Sequence, residues 1–272
     1  MAITRPILRY PGGKYKLAKW IISHFPKHDF YVEPYGGAGS VLMQKSQTQG
    51  EIINDLDGDV VNVFHVLRDA KKAKELERLI RLTPFAYAEY KSAYDPCEEP
   101  IERARRTIFR SFASIGSDGV SRRNSGFRGL KNNETSVTAA QEWSRYPDAI
   151  QSFVSRLQNV LIEQRPALHL LKIYDRIETL FYVDPPYLMS TRSKSSVFYD
   201  NEMTEKDHID LSKVLTSLKG MVVLSGYPSL LYDELYADWR KILKSATAQN
   251  GKGRVECIYL SPNINGNMLK GF

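Results

Sequence analysis

An α/β sheet domain interrupted by a basic, mainly helical insertion is the fold that this 272-residue sequence predicts. Three observations carry it. Toward both ends of the chain, short apolar runs bounded by turns alternate with helical periodicity, the pattern of strand–helix–strand units. From residue 83 to 149 that alternation gives way to aromatic and arginine-rich helical segments. A composition of 42% hydrophobic and 25% charged residues is ordinary for a globular chain and excludes disordered, collagen-like and coiled-coil readings.

The elements follow in order. Phe30-Tyr31-Val32-Glu33-Pro34 reads as a strand that runs into the turn Gly36-Gly37-Ala38-Gly39-Ser40. Val41 to Gln44 reads as a short helix and Glu51 to Asp55 as the next strand. Asp59 is expected to cap one helix carrying Val60, Val63, Phe64, Leu67, Leu76, Leu79 and Ile80, which Thr83-Pro84 ends. An aromatic helix (Phe85, Tyr87, Tyr90, Tyr94) and a basic amphipathic helix over Ile101–Ile115 follow, then a Gly/Ser/Arg loop from Gly116 to Gly129. The alternation resumes with a helix at Ala149–Leu157, a strand at Asn159–Glu163, a helix at Pro166–Tyr174 and a buried strand at Leu180–Asp184. A polar stretch from Met189 to Asn201, a helix at Glu205–Leu218 and a strand at Met221–Ser225 come next. Trp239–Leu243 and Arg254–Leu260 close the sheet as a hairpin at its edge. Residues 1–82 and 150–272 are therefore expected to form the sheet domain, and 83–149 the insertion.

Charge is concentrated in that insertion. The chain carries 38 Lys and Arg against 31 Asp and Glu, a formal +7. Between Ile101 and Lys131, eight cations face Glu102 and Asp118, so +6 falls in this one segment. An apolar stripe of Ile101, Ile108, Phe112 and Ile115 leaves Arg103, Arg106 and Arg110 turned outward, suited to phosphate contacts. Arg122, Arg123, Asn124 and Arg128 lie in the flexible loop, where side chains can adapt to base edges. On charge alone, a solvated helix face explains the segment equally well.

Cys97 and Cys257 are too few for a disulfide framework and fit a reducing compartment. The five histidines show no ligand spacing, so no metal is implied. No stretch approaches the roughly 18 apolar residues of a membrane span, and the start lacks a signal-peptide pattern. A soluble, cytoplasmic, monomeric chain with no obligate protein partner is expected.

Three motifs carry chemistry. Glu33-Pro34-Tyr35 followed by Gly36-Gly37-Ala38-Gly39-Ser40 places backbone amides at a strand's carboxyl end, and Asp55 ends the next strand, where it can take both hydroxyls of a ribose. Leu42 stands where a dinucleotide fingerprint needs a third small residue. Asp184-Pro185-Pro186-Tyr187 follows a buried apolar run. Its carboxylate and the Pro185 carbonyl can accept both hydrogens of an amino group, and the Tyr187 ring can stack on a base. Tyr10-Pro11-Gly12-Gly13-Lys14 offers an aromatic and a cation across a turn; Leu8 and Tyr15 exclude a phosphate-binding loop there. Singly, each motif also reads as a tight turn.

Together and in this order, the three motifs with Asn54-Asp55 resemble the Dam-type DNA adenine N6-methyltransferases. The resemblance implies a class I S-adenosylmethionine (AdoMet) sheet with helices on both faces, interrupted by a DNA-recognition insertion. It implies methyl transfer from AdoMet to the exocyclic amine of a flipped adenine in double-stranded DNA. Carried over by position, Tyr10, Lys14, Glu33, Pro34, Tyr35, Gly36, Gly37, Ala38, Gly39, Ser40, Asp55 and Asp184 hold the cofactor, and Asp184, Pro185, Pro186 and Tyr187 form the catalytic turn. Arg106, Arg110, Arg122, Arg123, Asn124 and Arg128 are the candidate DNA contacts. Arg123 to Gly129 lacks the Arg-Tyr-Asn and Phe-Asn-x-Pro-Phe-Gly segments that family members often carry. An N4-cytosine methyltransferase, or an inactive DNA-binding regulator on the same fold, stays open as an alternative. Pro96-Cys97 matches the nucleophile dipeptide of C5-cytosine methylases but sits in a polar loop, away from any strand end.

Overall fold

The computed structural model describes residues 3–116, 119–120, 124–129, 138–191, 202–247 and 253–264. Its strands are β1 (Phe30–Glu33), β2 (Gly50–Asn54), β3 (Val160–Glu163), β4 (Thr179–Val183), β5 (Met221–Gly226), β6 (Arg240–Thr247) and β7 (Gly253–Leu260). Its α-helices are α1 (Ala18–Ile22), α2 (Gly58–Arg68), α3 (Ala70–Leu82), α4 (Tyr87–Ser92), α5 (Pro100–Ala113), α6 (Ala139–Ser144), α7 (Ile150–Leu157), α8 (Ala167–Ile173), α9 (Glu205–Ser217) and α10 (Leu230–Leu235). The strands make one mixed sheet in the order β3-β2-β1-β4-β5-β7-β6. By density of packing the chain forms two compact units, Met1–Ala18, Gly37–Lys45 and Asp57–Gln164 in the first, and Lys19–Gly36, Ser46–Leu56 and Arg165–Phe272 in the second.

In the second unit, β1 pairs in parallel with β2 and β4, and β4 with β5. Phe30 stands opposite both Gly50 and Thr179, and Leu180 opposite Met221, so the carboxyl ends of these strands line up. Every residue of β4 and β5 is buried, which is why both read as continuous apolar runs rather than alternating ones. On one face Phe181, Val183, Val222 and Leu224 pack against Leu170 and Leu171 of α8, Leu211 and Leu215 of α9 and Tyr232 of α10. On the other, Phe25 lies against Tyr31 and Tyr182, with ring centroids 5.7 and 5.9 Å apart. The β7–β6 hairpin adds antiparallel to β5, in the place its sequence suggested.

The first unit is helical. Three sequence expectations fail here for local reasons. The single helix after Asp59 is two helices, because Asp69 adopts extended backbone and its carboxylate accepts from the amides of Lys71 and Lys72, capping α3 afresh. The cap of α2 is Asp57, not Asp59. Val41 to Gln44, expected as a helix, is a run of turns. Three short helices, α1, α6 and α10, carry five or six residues each and have too little periodicity to read from sequence.

Asp59 instead points into the helices. Its carboxylate receives Arg103 Nε at 2.6 Å and Arg110 Nη2 at 3.0 Å, with the Asp59 and Arg110 side chains 5% and 3% exposed. Arg110 also donates to the carbonyls of Gly119 at 3.0 Å and Ala93 at 2.8 Å, and its guanidinium lies 5.6 Å from the Tyr94 ring centre. Removing one partner of so buried a pair strands the other charge. Asp59→Ala is expected to lower stability by about 3–5 kcal/mol, measured as a shift in the urea-unfolding midpoint.

Candidate active site

Four loops leave the second unit's sheet at its aligned carboxyl edge. Glu33, 2% exposed, closes β1 and accepts the Tyr31 hydroxyl at 2.7 Å. Burial, and then Glu33 itself, pushes the Tyr31 phenol far above its ordinary range, so that hydroxyl stays a donor. Pro34 and Tyr35 continue the turn, and Tyr35 packs against the hydrophobic core with its phenol also pushed up, chiefly by burial. Gly36 is required by close approach: a Cβ there would lie 2.5 Å from Ile53 Cγ1 and 3.0 Å from the Asn54 carbonyl.

Asn54, the last residue of β2, ties these loops together. Its Nδ2 donates to the carbonyls of Pro34 at 2.8 Å and Arg165 at 3.0 Å, while its Oδ1 accepts the Arg165 amide at 2.8 Å. Its own carbonyl accepts from Gly36 N at 2.7 Å. Asp55 follows, half-buried, directly beyond this knot. Asn54 stood in the sequence beside Asp55, but only the fold shows it as the clamp on two turns, Pro34–Gly36 and that of Arg165.

From the neighbouring strand comes Asp184-Pro185-Pro186-Tyr187. The prolines remove two amide donors just past β4, so the loop cannot continue the ladder. Tyr182 and Ser225 exchange a 2.8 Å hydroxyl contact across β4 and β5 beneath it. Burial and then Asp184 raise the phenols of both Tyr182 and Tyr187.

Within the first unit the structure brings together two motifs that lie far apart in sequence. The amide of Gly13 donates to the Tyr10 carbonyl at 3.0 Å, closing a turn through Gly12 at φ 68°. Lys14, 5% exposed, donates from Nζ to the Gly12 carbonyl at 2.6 Å. The Tyr10 ring covers Gly37, where a Cβ would lie 2.9 Å from ring carbon Cε1 and φ is +49°. Gly39 also has positive φ, and Gln44 Nε2 spans from the Tyr15 carbonyl to that of Ser40. Ala38 and Ser40 are buried.

The candidate DNA contacts behave unequally. Arg110 is corrected: its guanidinium is buried and occupied, so it does not face outward. The apolar stripe misled because α5 is enclosed on more than one side through its second half, where Thr107 to Ala113 are all buried, while Ile115 is 50% exposed beyond the helix end. Arg106 is 21% exposed and pairs with Glu102 at 2.8 Å. Asn124 helps to build its segment: Oδ1 accepts the Tyr90 hydroxyl at 2.8 Å and the Gly126 amide at 3.1 Å. Phe127 inserts among Phe85, Tyr87 and Tyr90. Arg128 pairs with Glu142 at 2.6 Å and is 26% exposed. Arg122 and Arg123 lie outside the described residues.

An α/β sheet with parallel strands, an added antiparallel hairpin and ligand-type loops at its carboxyl edge is the fold of class I methyltransferases. The sequence profile of the D12 class N6 adenine-specific DNA methyltransferases matches residues 10–255. The chain belongs to that family. It is 24% identical over 246 residues to the DNA adenine methylase of Salmonella typhi, covering 87% of this chain and 85% of that one. Against the DNA adenine methylase of Haemophilus influenzae it is 24% identical over 270 residues, 93% of this chain and 91% of the other. A Type II methyltransferase of Lactococcus lactis subsp. cremoris, M1.LlaDCHI, is 26% identical over 273 residues, covering 91% and 89%. The adenine-specific reading of the sequence stands, and the N4-cytosine and inactive-regulator alternatives give way to it. Among the described residues, no helix is long and apolar enough to cross a membrane.

The Asn54 clamp is directly testable. Asn54→Ala removes the side-chain partner of the buried Pro34 carbonyl and of the part-buried Arg165 amide. It is expected to cost about 1–3 kcal/mol, measured by chemical denaturation.

Proposed function

We propose that this DNA adenine methyltransferase takes its methyl from S-adenosylmethionine and delivers it to the N6 amine of an adenine rotated out of the duplex. The observation that carries this reading is the Asp184-Pro185-Pro186-Tyr187 turn, which leaves a fully buried strand at the same sheet edge as the Glu33–Gly36 turn of the adjoining strand. The cofactor assignment has its own physical support. Gly36 and Gly37 are positions where a side chain would strike Ile53 and the Tyr10 ring, so the turn is held in a tight path, and Lys14 is a buried cation.

In this reading Tyr10, Lys14 and Glu33 to Ser40 hold S-adenosylmethionine, and the Asp55 carboxylate takes its ribose hydroxyls. Bound there, that group supplies a methyl on a positively charged sulfur. The chain's own residues handle the amine. Asp184 and the Pro185 carbonyl accept its two hydrogens, which draws the nitrogen lone pair out of conjugation with the ring and makes it the nucleophile. Tyr187 stacks on the base, and Pro186 stiffens the turn. Segment 83–149 holds the duplex, with Arg106, Arg128, Asn124, Arg122 and Arg123 as its contacts to phosphate and base. The cytoplasm of a bacterial or phage-infected cell fits this reading, since the DNA adenine methylases it resembles are bacterial.

Sequencing of methylated bases in DNA from cells expressing the chain tests the reaction and gives its site. Asp184→Ala should abolish turnover and leave S-adenosylmethionine affinity within about tenfold, because an acceptor of this kind acts mainly in the transition state. Wild-type turnover in that variant would refute the assignment. Cys97→Ser should turn over normally, since Cys97 is half-buried with its thiol 3.7 Å from the Glu99 carbonyl.

Asp55→Ala tests the cofactor half separately. Losing the charged acceptor for the ribose is expected to weaken S-adenosylmethionine binding by about 1.5–3 kcal/mol in calorimetry. Unchanged affinity would move the ribose contact elsewhere.

A further inference from the structure

The tyrosine of the catalytic turn is gripped by a strand pair to which the sequence motifs assign no role in the chemistry. The antiparallel register of β5 and β7 sets Leu224 opposite Tyr259 and Gly226 opposite Cys257. Tyr227 directly follows Gly226, and Glu256 directly precedes Cys257 in β7. Both reach Tyr187. The Tyr187 hydroxyl donates to Glu256 Oε2 at 3.4 Å, and the Tyr227 ring stands edge-on to the Tyr187 ring, with centroids 4.5 Å apart and planes at 79°.

A ring that stacks on a base must present its face at a set tilt, and a tyrosine in a loop has free rotation about its side-chain bonds unless something holds it. Here one group holds the hydroxyl end and another the edge. Tyr187 is only 9% exposed, and burial, Asp184 and Glu256, in that order, keep its phenol protonated and donating. Next to this grip lies a cavity of about 610 Å³, lined by Leu188, Ser190, Thr191, Tyr227, Ser229 and Leu231 among others. It is an open groove rather than an enclosed chamber. Tyr227 is thus both a wall of the cavity and a brace for the catalytic ring.

We propose that Glu256 and Tyr227 are positioning residues, which hold the Tyr187 ring at the tilt needed to stack an extrahelical nucleobase. The proposal rests on the reading of Asp184 to Tyr187 as the amine-holding turn. It goes beyond it by assigning two residues from a separate strand pair. Glu256 touches neither the amine nor the methyl donor in this role; it acts through the Tyr187 hydroxyl.

The test uses the full chain and a duplex carrying the site mapped for the wild type, with 2-aminopurine at the target adenine for the optical measurement. In Glu256→Ala, kcat should fall about ten- to a hundredfold, the range expected when a reacting group loses its alignment. S-adenosylmethionine affinity and the melting temperature should stay at wild-type values. The flipped 2-aminopurine should fluoresce more strongly than with the wild type, because it no longer stacks on a fixed ring. Glu256→Gln retains an acceptor oxygen and should restore kcat to within about threefold of wild type. Should Glu256→Ala fail to fold, Tyr187→Phe serves in its place: it lacks the hydroxyl and should show the same fall in kcat and the same bright 2-aminopurine. Wild-type kcat and fluorescence in Glu256→Ala or Tyr187→Phe would overturn the proposal, as would a Gln variant no better than Ala. A wild type inert toward DNA and S-adenosylmethionine would instead overturn the underlying function.

Discussion

With Phe30 opposite both Gly50 and Thr179, and Leu180 opposite Met221, the parallel strands of the second unit end at one common edge. The rest of the chemistry depends on that register. A slip of one residue would turn each strand over, sending Glu33 and the buried apolar residues to the wrong faces. Because the register holds, the turn after Glu33, the Asn54 clamp, the Asp184 turn and Tyr227 all emerge side by side. The chain also reverses direction of travel across the sheet here: β1 is followed outward by β2, and β4 returns on its other flank. Such a switch point leaves a crevice outside the strand ends, the usual place for a ligand in an open α/β sheet.

Arginine content and arginine availability differ sharply in the basic segment. Arg110 is consumed by Asp59 and two carbonyls, and Arg105, 10% exposed, by Glu102 and Glu89. These guanidiniums fasten helices: each donates to several acceptors at fixed angles, which a lysine could not match. Only the remaining cations can face a polyanion. The surplus of positive charge is therefore partly architecture, and the part left for phosphate is smaller than the +6 of the segment implies. Asn124 shows the same economy, since its side-chain oxygen shapes the segment that also carries Arg128.

What the sequence makes legible follows from the range of the interactions involved. Buried parallel strands announce themselves as apolar runs, so β1, β2, β4, β5 and the closing hairpin were all visible, along with the turns that follow them. The Asp184–Tyr187 tetrapeptide and the glycine turn are local, and local backbone chemistry is written in consecutive residues. The role of Asp59 was not visible, because an aspartate just inside a helix start looks like a cap until Arg103 and Arg110 arrive from 44 and 51 residues away. The covering of Gly37 by Tyr10, the reach of Asn54 to Arg165 and the approach of Tyr227 and Glu256 to Tyr187 are likewise long-range. For the last of these a signal did exist, in the hairpin register, but it needs the β5–β7 alignment that sequence periodicity alone leaves undetermined.

The distribution of carboxylates gives the two chemistries a physical division of labour. Asp184, Glu33 and Glu256 all act on the Tyr182 phenol, so three acids crowd one end of the second unit's sheet. Such a cluster repels phosphate and attracts a cation, which suits an amine that gains positive charge as it is methylated. It is a poor surface for a DNA backbone. Phosphates are better met by guanidiniums than by such an edge. A base, unlike a phosphate, carries no charge, and so it can approach the acidic edge without the repulsion that a phosphate would meet. Moving the base to the acids, rather than the acids to the duplex, is the arrangement this charge pattern favours.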